Sequence, residues 1–475
     1  MRILLALKQR NYVNTFTRAV DVLLRRGHAV HLAWPDEDVS RPEELPDSSG
    51  LTIESWKPKR GDAWAPLATT MRRASDYLRY LEPAYRDAGK LRARAFEKVL
   101  HSLSHGERAP LPGWSDVALE LSATERDRLK SITALMEDAI PSDPGTEARL
   151  AAHRPDAVLV SPLVDLGSSQ TDIIKSARRL GIPTGMLLFS WDNLSTKGSL
   201  HVAPDRMFVW NELQRQEAAT LHGFPVERTV ATGAPRFDEF FALAPVTDRA
   251  GFFAPLGFDP RRPMLMYLGS SKFVITDREL PVIARWLAAI RGSRDPRLRD
   301  CNVLVRPHPD VKPDGDEGPV EAVRWHRLEG KGVVTRPFGD PRAVVLRTHY
   351  RKAQGFYEAL HHSAAVVGLN TSASLEAAIV GRPVFTILAG DAADGQASTL
   401  HFRYLLESEG GCVSLASSFE EHRAQLAAAL DEPGRAERLR AFAVSFLRPG
   451  GSTRPASDVL ADAIESSYTS VRLHA

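Results

Sequence analysis

The sequence predicts an α/β fold of two doubly wound, parallel-sheet domains, the first carrying a helical insertion. Three observations predict it. Short apolar runs alternate with helix-period segments in two separate series, the pattern of β-α-β units. The first series is interrupted from about Trp56 to Leu150 by a long, helical, arginine-rich stretch. A run rich in Pro, Gly and Asp, Pro245 to Pro263, reads as a linker between the two series. A chain of 475 residues is long enough for two domains with their own cores.

Each element follows in order. Ile3 to Leu7 is a strand, Thr15 to Arg26 a helix with apolar Phe16, Val20, Leu23 and Leu24 on one face, and Ala29 to Ala33 the next strand. The insertion contains Asp76-Tyr-Leu-Arg-Tyr-Leu81 and Lys90-Leu-Arg-Ala-Arg-Ala-Phe96. Alternation resumes with strand Ala157–Val160, helix Thr171–Leu180, and strands at Thr184–Phe189, Arg206–Trp210 and Thr229–Gly233. The second series opens with strand Met264–Tyr267, the loop Leu268–Lys272 and helix Glu279–Arg291. Strands Val303–Val305, Ala364–Gly368 and Val384–Ile387 follow, with a helix Leu375–Val380 ended by Gly381. Helices near Glu420–Leu430, Arg435–Phe446 and Pro455–Glu465 close the chain, the last two separated by Arg448-Pro-Gly-Gly451. The expected domains are therefore residues 1–244, with the insertion at about 56–150, then 245–448, and a C-terminal helix in 449–475 that returns toward the first domain.

Composition excludes several classes. A net charge of +2 gives no global field for nucleic acid. Two cysteines, Cys301 and Cys412, cannot make a disulfide framework. No run approaches eighteen apolar residues, so no membrane-spanning helix is expected. Met1 to Leu7 is cut short by polar Lys8-Gln-Arg-Asn11, so it reads as a first strand and not as a signal peptide. A cytoplasmic protein is expected. The arginines and tyrosines of the insertion could also form a peripheral surface for an anionic membrane or a lipid-linked acceptor.

Two loops carry the chemistry of an anion site. In Val303-Leu-Val-Arg306-Pro-His308-Pro, a buried strand ends in a rigid basic loop, and ligands of open α/β sheets bind past strand carboxyl ends. The Arg306 guanidinium fork suits phosphate oxygens. The segment Asn370-Thr371-Ser372-Ala-Ser374-Leu-Glu376 offers hydroxyls and free N–H groups at a helix N-terminus. Glu376 either caps that helix or accepts hydrogen bonds from a ribose.

Taken in order, Ser190-Trp191-Asp192-Asn193-Leu-Ser195-Thr-Lys197-Gly198, Gly233-Ala-Pro-Arg236-Phe-Asp238, Gly269-Ser-Ser271-Lys272, Arg306-Pro-His308-Pro and Asn370-Thr-Ser-Ala-Ser374 resemble the motif set of GT-B glycosyltransferases. The resemblance is sharper to bacterial CDP-glycerol glycerophosphotransferases and related capsule and surface-polysaccharide enzymes, and it covers about half the chain. It implies two Rossmann-like domains facing across a cleft, with the nucleotide in the second. Asp192 stands where the glycerophosphotransferases have histidine, Asn370-Thr371 replaces Asp-Tyr, and Glu376 lies where glycosyltransferases keep a ribose-binding acid. These departures favour sugar transfer over glycerol phosphate transfer.

The expected function is thus metal-independent transfer of a sugar from a nucleotide donor, CMP- or CDP-linked by preference, to a surface-glycan or lipid-linked acceptor. Asp192 would be the general base, with Trp191, Asn193, Ser195 and Lys197 on the acceptor side. Arg306 and His308 would neutralise the leaving phosphate, helped by Ser271, Lys272, Asn370, Thr371, Ser372, Ser374, Glu376 and Arg236. No Asp-x-Asp flanked by apolar strand residues and no His/Cys cluster appears in the sequence, so no metal and no cofactor is expected. The alternatives are a polyol-phosphate transferase, a nucleotide-sugar 2-epimerase, and a binding protein without catalysis. An epimerase would need several acids at its site and no open acceptor face.

Overall fold

The computed structural model describes residues 1–104, 114–270, 279–308, 339–345, 353–388, 396 and 399–469. The chain divides into two compact units, Met1–Asp238 with Phe446–Ala475, and Glu239–Ser445. The division falls a few residues before the boundaries that composition suggested at 244 and 448.

Unit 1 is built on a parallel sheet of β1 (Arg2–Leu7), β2 (Ala29–Trp34), β3 (Leu51–Ser55), β4 (Ala157–Ser161), β5 (Thr184–Leu187), β6 (Arg206–Val209) and β7 (Thr229–Ala231). Their order is β3-β2-β1-β4-β5-β6-β7. Ile3 to Leu7 and the whole of β4 are buried, as strands covered on both faces must be. Helix α1 (Val13–Arg25) lays Phe16, Val20 and Leu23 on this sheet. Helices α2 (Ala65–Arg79), α3 (Gly89–Leu100), α4 (Ala123–Ala139) and α5 (Pro144–His153) form the insertion. Helices α6 (Gln170–Arg179), α7 (Asn193–Thr196) and α8 (Glu212–His222) complete the wound half.

The arginines of the insertion turn inward. Arg72 of α2, 3% exposed, donates to both carboxylate oxygens of Glu137 in α4 and to both of Asp172 in α6, at 2.8–2.9 Å. Arg60 adds a bond to Asp172 at 2.9 Å, and Lys175 contacts Glu137 at 3.3 Å. Burial works against the Arg72 charge, yet Asp172 and Glu137 together push its pKa above the ordinary value. Arg60, Arg72 and Arg79 therefore do not contribute to the basic outer surface expected of this stretch. They bolt the insertion to the sheet.

Unit 2 holds a parallel sheet of β8 (Met264–Leu268), β9 (Asn302–Arg306), β10 (Ala343–Val345), β11 (Ala365–Gly368), β12 (Val384–Ile387) and β13 (Val413–Ala416), in the order β10-β9-β8-β11-β12-β13. Helices α9 (Glu279–Arg291), α10 (Ala353–His362), α11 (Ala373–Val380), α12 (Phe419–Ala429) and α13 (Arg435–Leu447) accompany it. Tyr267, Trp286 and Phe385 fill its core. The supposed linker Pro245–Pro263 is a folded part of this unit. Phe253, Leu256 and Phe258 are buried, and Arg249 donates to the carbonyls of Pro260, Arg262 and His362. His362 is buried with its ring stacked on Phe252 at 4.9 Å.

The last helix, α14 (Ala456–Tyr468), belongs to unit 1, where Leu460, Ala461, Ile464 and Tyr468 join the α1 core. Asp238 fixes it: its carboxylate accepts from Arg448 at 2.6 Å and from the backbone N–H groups of Ala456 and Ser457 at 2.9 and 2.7 Å. This is the part played by the aspartate of Gly233-Ala-Pro-Arg-Phe-Asp238. No helix among the described residues is long and apolar enough to cross a membrane.

Candidate functional site

In both sheets the winding direction reverses at one place, between β1 and β4 in unit 1 and between β8 and β11 in unit 2. Open α/β sheets bind ligands past the strand carboxyl ends at such switch points.

At the unit 1 switch point, Lys8 follows β1 and ion-pairs with Asp165, which follows β4. Tyr12 stacks flat on Phe189, ring centroids 3.6 Å apart. Burial raises the Tyr12 pKa, and the charges of Asp165 and Asp192 raise it further. Asp192 accepts from the Thr196 hydroxyl at 3.0 Å and pairs with Lys197 at 3.1 Å. It precedes α7 without making a side-chain capping bond, so the helix-cap role does not account for it.

The loop bearing Asp192 is held from several directions. Asn193 is buried, and its carbonyl oxygen accepts from the backbone N–H groups of Phe189 and Ser190 at 3.1 and 2.7 Å. Ser195 donates to the Asp192 carbonyl, and Trp191 packs edge-on against Phe446. These three side chains shape the loop, while Lys197 stays with Asp192. From the insertion, Arg79 donates to the carbonyls of Leu194 and Gly198, Tyr80 to that of Lys197, and Arg94 to that of Thr196 at 2.6 Å. His222 reaches the Leu194 carbonyl at 2.8 Å. Burial, seconded by Arg79, drives the His222 pKa well below its ordinary value.

Asp76 joins the two acidic loops. Its carboxylate, fully buried, accepts from the backbone N–H groups of Gly167 and Ser199, each at 2.6 Å, with His201 at 3.2 Å. Gly198 fits because it has no side chain: a Cβ there would run into the Asp165 carbonyl and sit 2.7 Å from Asp76. Lys8, Tyr12, Asp76, Asp165 and Arg79 did not stand out in the sequence. Reading every strand's carboxyl end, and not only those followed by Pro or Ser clusters, would have found Lys8 and Asp165.

The unit 2 switch point is made of small residues and backbone. A Cβ on Gly269 would lie 2.8 Å from the His308 N atom, so the exits of β8 and β9 touch only because this residue is glycine. The Ser270 N–H donates to both oxygens of the buried Glu279, at 2.8 and 3.0 Å. Arg306 ends β9 beside Leu268, buried, its guanidinium 3.8 Å from the Phe356 ring centroid. His308 follows it, half-buried. Across the switch point, the Leu369 carbonyl accepts from Thr386 at 2.9 Å and from Gln396 at 2.8 Å. Asn370 lies 3.4 Å from His401.

Thr371 accepts from the Ala373 N–H at 3.3 Å, and Ser372 precedes α11 without a side-chain cap. Ser374 is buried, and Glu376 is the fourth residue of α11, one beyond the position that a capping box uses. Thus Arg306 and His308 lie at the carboxyl end of β9, and Asn370, Thr371 and Ser372 at that of β11, the strands on either side of β8. Ser271 and Lys272 lie outside the described residues. Arg236 belongs to unit 1, where it sits over Phe237.

No protein-family model matches the chain, and no curated protein matches it by sequence. Solved structures do match. The UDP-GlcNAc 2-epimerase of Neisseria meningitidis, bound to UDP-GlcNAc, is similar with a TM-score of 0.50 at 11% identity, over 98% of this chain and 100% of its own. The structure of S. aureus MnaA with UDP gives a TM-score of 0.52 at 11% identity, over 98% of this chain and 96% of its own. At that identity the likeness speaks for fold. It does not show the resemblance to CDP-glycerol glycerophosphotransferases. Two parallel-sheet Rossmann-like units, seven-stranded and six-stranded, give this chain the GT-B fold.

Proposed function

We propose that this chain is a nucleotide-sugar enzyme that inverts carbon 2 of a UDP-linked N-acetylhexosamine, a 2-epimerase and not a glycosyltransferase. The observation that carries this reading is that the unit 1 switch point carries two carboxylates on its strand-end loops, Asp165 after β4 paired with Lys8 and Asp192 after β5 paired with Lys197. Inverting a carbon that bears hydrogen requires a proton to leave one face and another to arrive on the opposite face. Two acid–base groups serve that need, whereas transfer to a hydroxyl needs one base and an open approach. Here the approach is taken up by insertion side chains, since Arg79, Tyr80 and Arg94 bond directly to the Asp192 loop. The shared fold with UDP-GlcNAc 2-epimerases supports the same reading, and it favours UDP over the CMP or CDP expected from the sequence.

The proton on carbon 2 is not acidic by itself. It becomes removable as the bond from carbon 1 to the diphosphate breaks, the C–H electron pair forming a double bond between carbons 1 and 2. Return of the diphosphate to carbon 1 and of a proton to the other face of carbon 2 gives the epimer. One of Asp192 and Asp165 takes the proton as a carboxylate while the other, as a carboxylic acid, gives one to the opposite face, and Lys8 and Lys197 orient the two side chains. Within unit 2, Arg306, His308 and the N-terminus of α11 with Thr371 and Ser372 are the groups suited to a diphosphate.

The test is proton exchange. Incubation with UDP-GlcNAc in D2O should place deuterium at carbon 2 and produce the 2-epimer, followed by NMR. Sugar transfer to a glycan acceptor with carbon 2 fully protonated would overturn this reading in favour of glycosyl transfer.

A further inference from the structure

We infer that His31, Glu54 and His153 form a binding site for a zinc-class divalent metal ion, which staples the two ends of the helical insertion to the unit 1 sheet. The placement begins with register. His31 of β2 is paired with Thr52 of β3, and Glu54, two residues on, shares that face of the sheet. His153 is the last residue of α5, which brings its ring within 4.2 Å of the His31 ring centroid. The His31 Nε2 and His153 Nε2 atoms lie 3.1 and 3.2 Å from one oxygen, Glu54 Oε1. All three ligand atoms fall within 4.8 Å of one another.

These contacts fit a shared cation better than they fit hydrogen bonds. His31 Nε2 and Glu54 Oε1 are both shut off from solvent, and neither makes a hydrogen bond despite their 3.1 Å approach. For a tetrahedral ion with ligands at about 2.0–2.1 Å, neighbouring ligand atoms stand roughly 3.3 Å apart, close to both observed distances. The other nitrogen of His31, Nδ1, lies 2.6 Å from the Thr52 hydroxyl. A second partner of that kind fixes the ring of a metal-bound histidine. Two imidazoles and a carboxylate suit zinc, whereas magnesium and calcium prefer oxygen ligands. The three side chains are 16, 25 and 29% exposed, which leaves a fourth position for water. One opposing charge faces the cluster: the Arg149 guanidinium is 3.7 Å from Glu54 Oε1, drawn aside by its bond to the Ser55 carbonyl and its contact with Trp56.

The position gives the site a role. Glu54 lies just before the insertion and His153 is the last residue of its last helix, so an ion held by both closes the loop at its base. Joining chain ends that far apart restricts the unfolded chain and steadies the folded one. The sequence hides this, because the ligands are scattered over more than a hundred residues with no repeated spacing.

The experiment uses the full chain, stripped with chelator and titrated with zinc chloride by calorimetry, with magnesium chloride as control. One zinc per chain should bind, and the melting temperature should rise by roughly 5–10 °C at a hundredfold excess over the dissociation constant. Cobalt(II) should give the visible absorption of a tetrahedral site. Glu54→Gln, which keeps shape, and His153→Ala, at a helix end, should each weaken zinc at least tenfold while circular dichroism stays native. Failure of the wild-type chain to take up zinc, or unchanged zinc binding in a folded His31→Gln/His153→Ala double variant, overturns the proposal.

Discussion

The two switch points occupy equivalent places in their sheets and are built from opposite materials. That of unit 1 is crowded with charged side chains in pairs, Lys8 with Asp165 and Lys197 with Asp192. That of unit 2 is made of close backbone approaches at Gly269, braced carbonyls at Leu369, and one arginine laid on an aromatic ring. Paired acids and bases move protons, while N–H groups, hydroxyls and a held guanidinium hold an anion in place. The division of labour proposed above is the chemical content of that difference. Charged pairs at a rim need a framework to fix their geometry, and the insertion of unit 1 supplies one through Arg79, Tyr80 and Arg94.

The largest effect should come from breaking the acid–base half. Asp192→Asn keeps the bond to Thr196 and the shape of the loop but cannot accept a proton. Turnover should fall by about 10²–10⁴-fold, a barrier increase of about 3–5 kcal/mol, while UDP affinity is retained. A near-wild-type rate in single-turnover conditions would remove Asp192 from the chemistry and leave it as a partner of Lys197.

Next is the framework itself. Arg72→Met leaves Asp172 and Glu137 buried with only Arg60 and Lys175 to compensate, and breaking a buried ion pair from one side costs about 3–5 kcal/mol. Denaturant unfolding should show a loss near the lower end of that range. Hydrogen exchange should quicken in unit 1 around residues 190–199, with unit 2 unchanged. Equal loosening of both units would contradict the idea that the insertion serves one rim.

Each unit holds a buried histidine with a lowered pKa, His222 in unit 1 and His422 in unit 2, and the second gives a pH test. In unit 2 the Trp286 indole N–H donates to His422 Nε2 at 3.0 Å, and burial pushes the His422 pKa down to about 4. The folded state therefore binds fewer protons than the unfolded state between pH 6.5 and 4. This contribution is fully present above about pH 6.5 and is lost as pH falls toward 4, at up to about 1.4 kcal/mol per unit and about 3 kcal/mol in all. Amide exchange in α9 and α12 should follow that window, and His422→Gln should flatten it. An unchanged pH dependence in the variant would assign the loss to other groups.

How much of this was legible follows from the physics of each part. Strands buried on both faces, such as Met264–Leu268 and Ala365–Gly368, show as apolar runs, and α9 and β12 have the bounds that their patterns imply. Three of the four edge strands, β3, β10 and β13, do not show, whereas β7, at the remaining edge, does. The strand-end loops at Asp192, Arg306 and Asn370 were visible from turn chemistry. The bonds from Arg79 to Leu194 and Gly198 span more than a hundred residues and leave no local trace. For the same reason the arginines of the insertion, read from the sequence, resemble a solvated or membrane-facing surface.

The smallest effect expected is also the one that best sharpens the comparison, because it concerns the anion-holding half. Arg306→Ala removes a guanidinium that Phe356 holds by cation–π stacking, so the arginine is already oriented before any ligand arrives. If it binds the diphosphate, its loss should weaken UDP by about 1.5–3 kcal/mol, roughly ten- to a hundredfold in dissociation constant, read by calorimetry. Arg306→Lys should recover only part of this, since a lysine offers no planar fork. Phe356→Leu should fall between wild type and Arg306→Ala, because the charge stays while its orientation is lost. The opposite pattern is equally informative: Arg306→Ala and Phe356→Leu that cost the same stability and leave UDP affinity untouched would make the pair a packing feature. The anion would then rest on the α11 N-terminus with Thr371 and Ser372. Asp192→Asn serves as the control in the same titration, because a residue of the unit 1 rim should change turnover without changing nucleotide affinity.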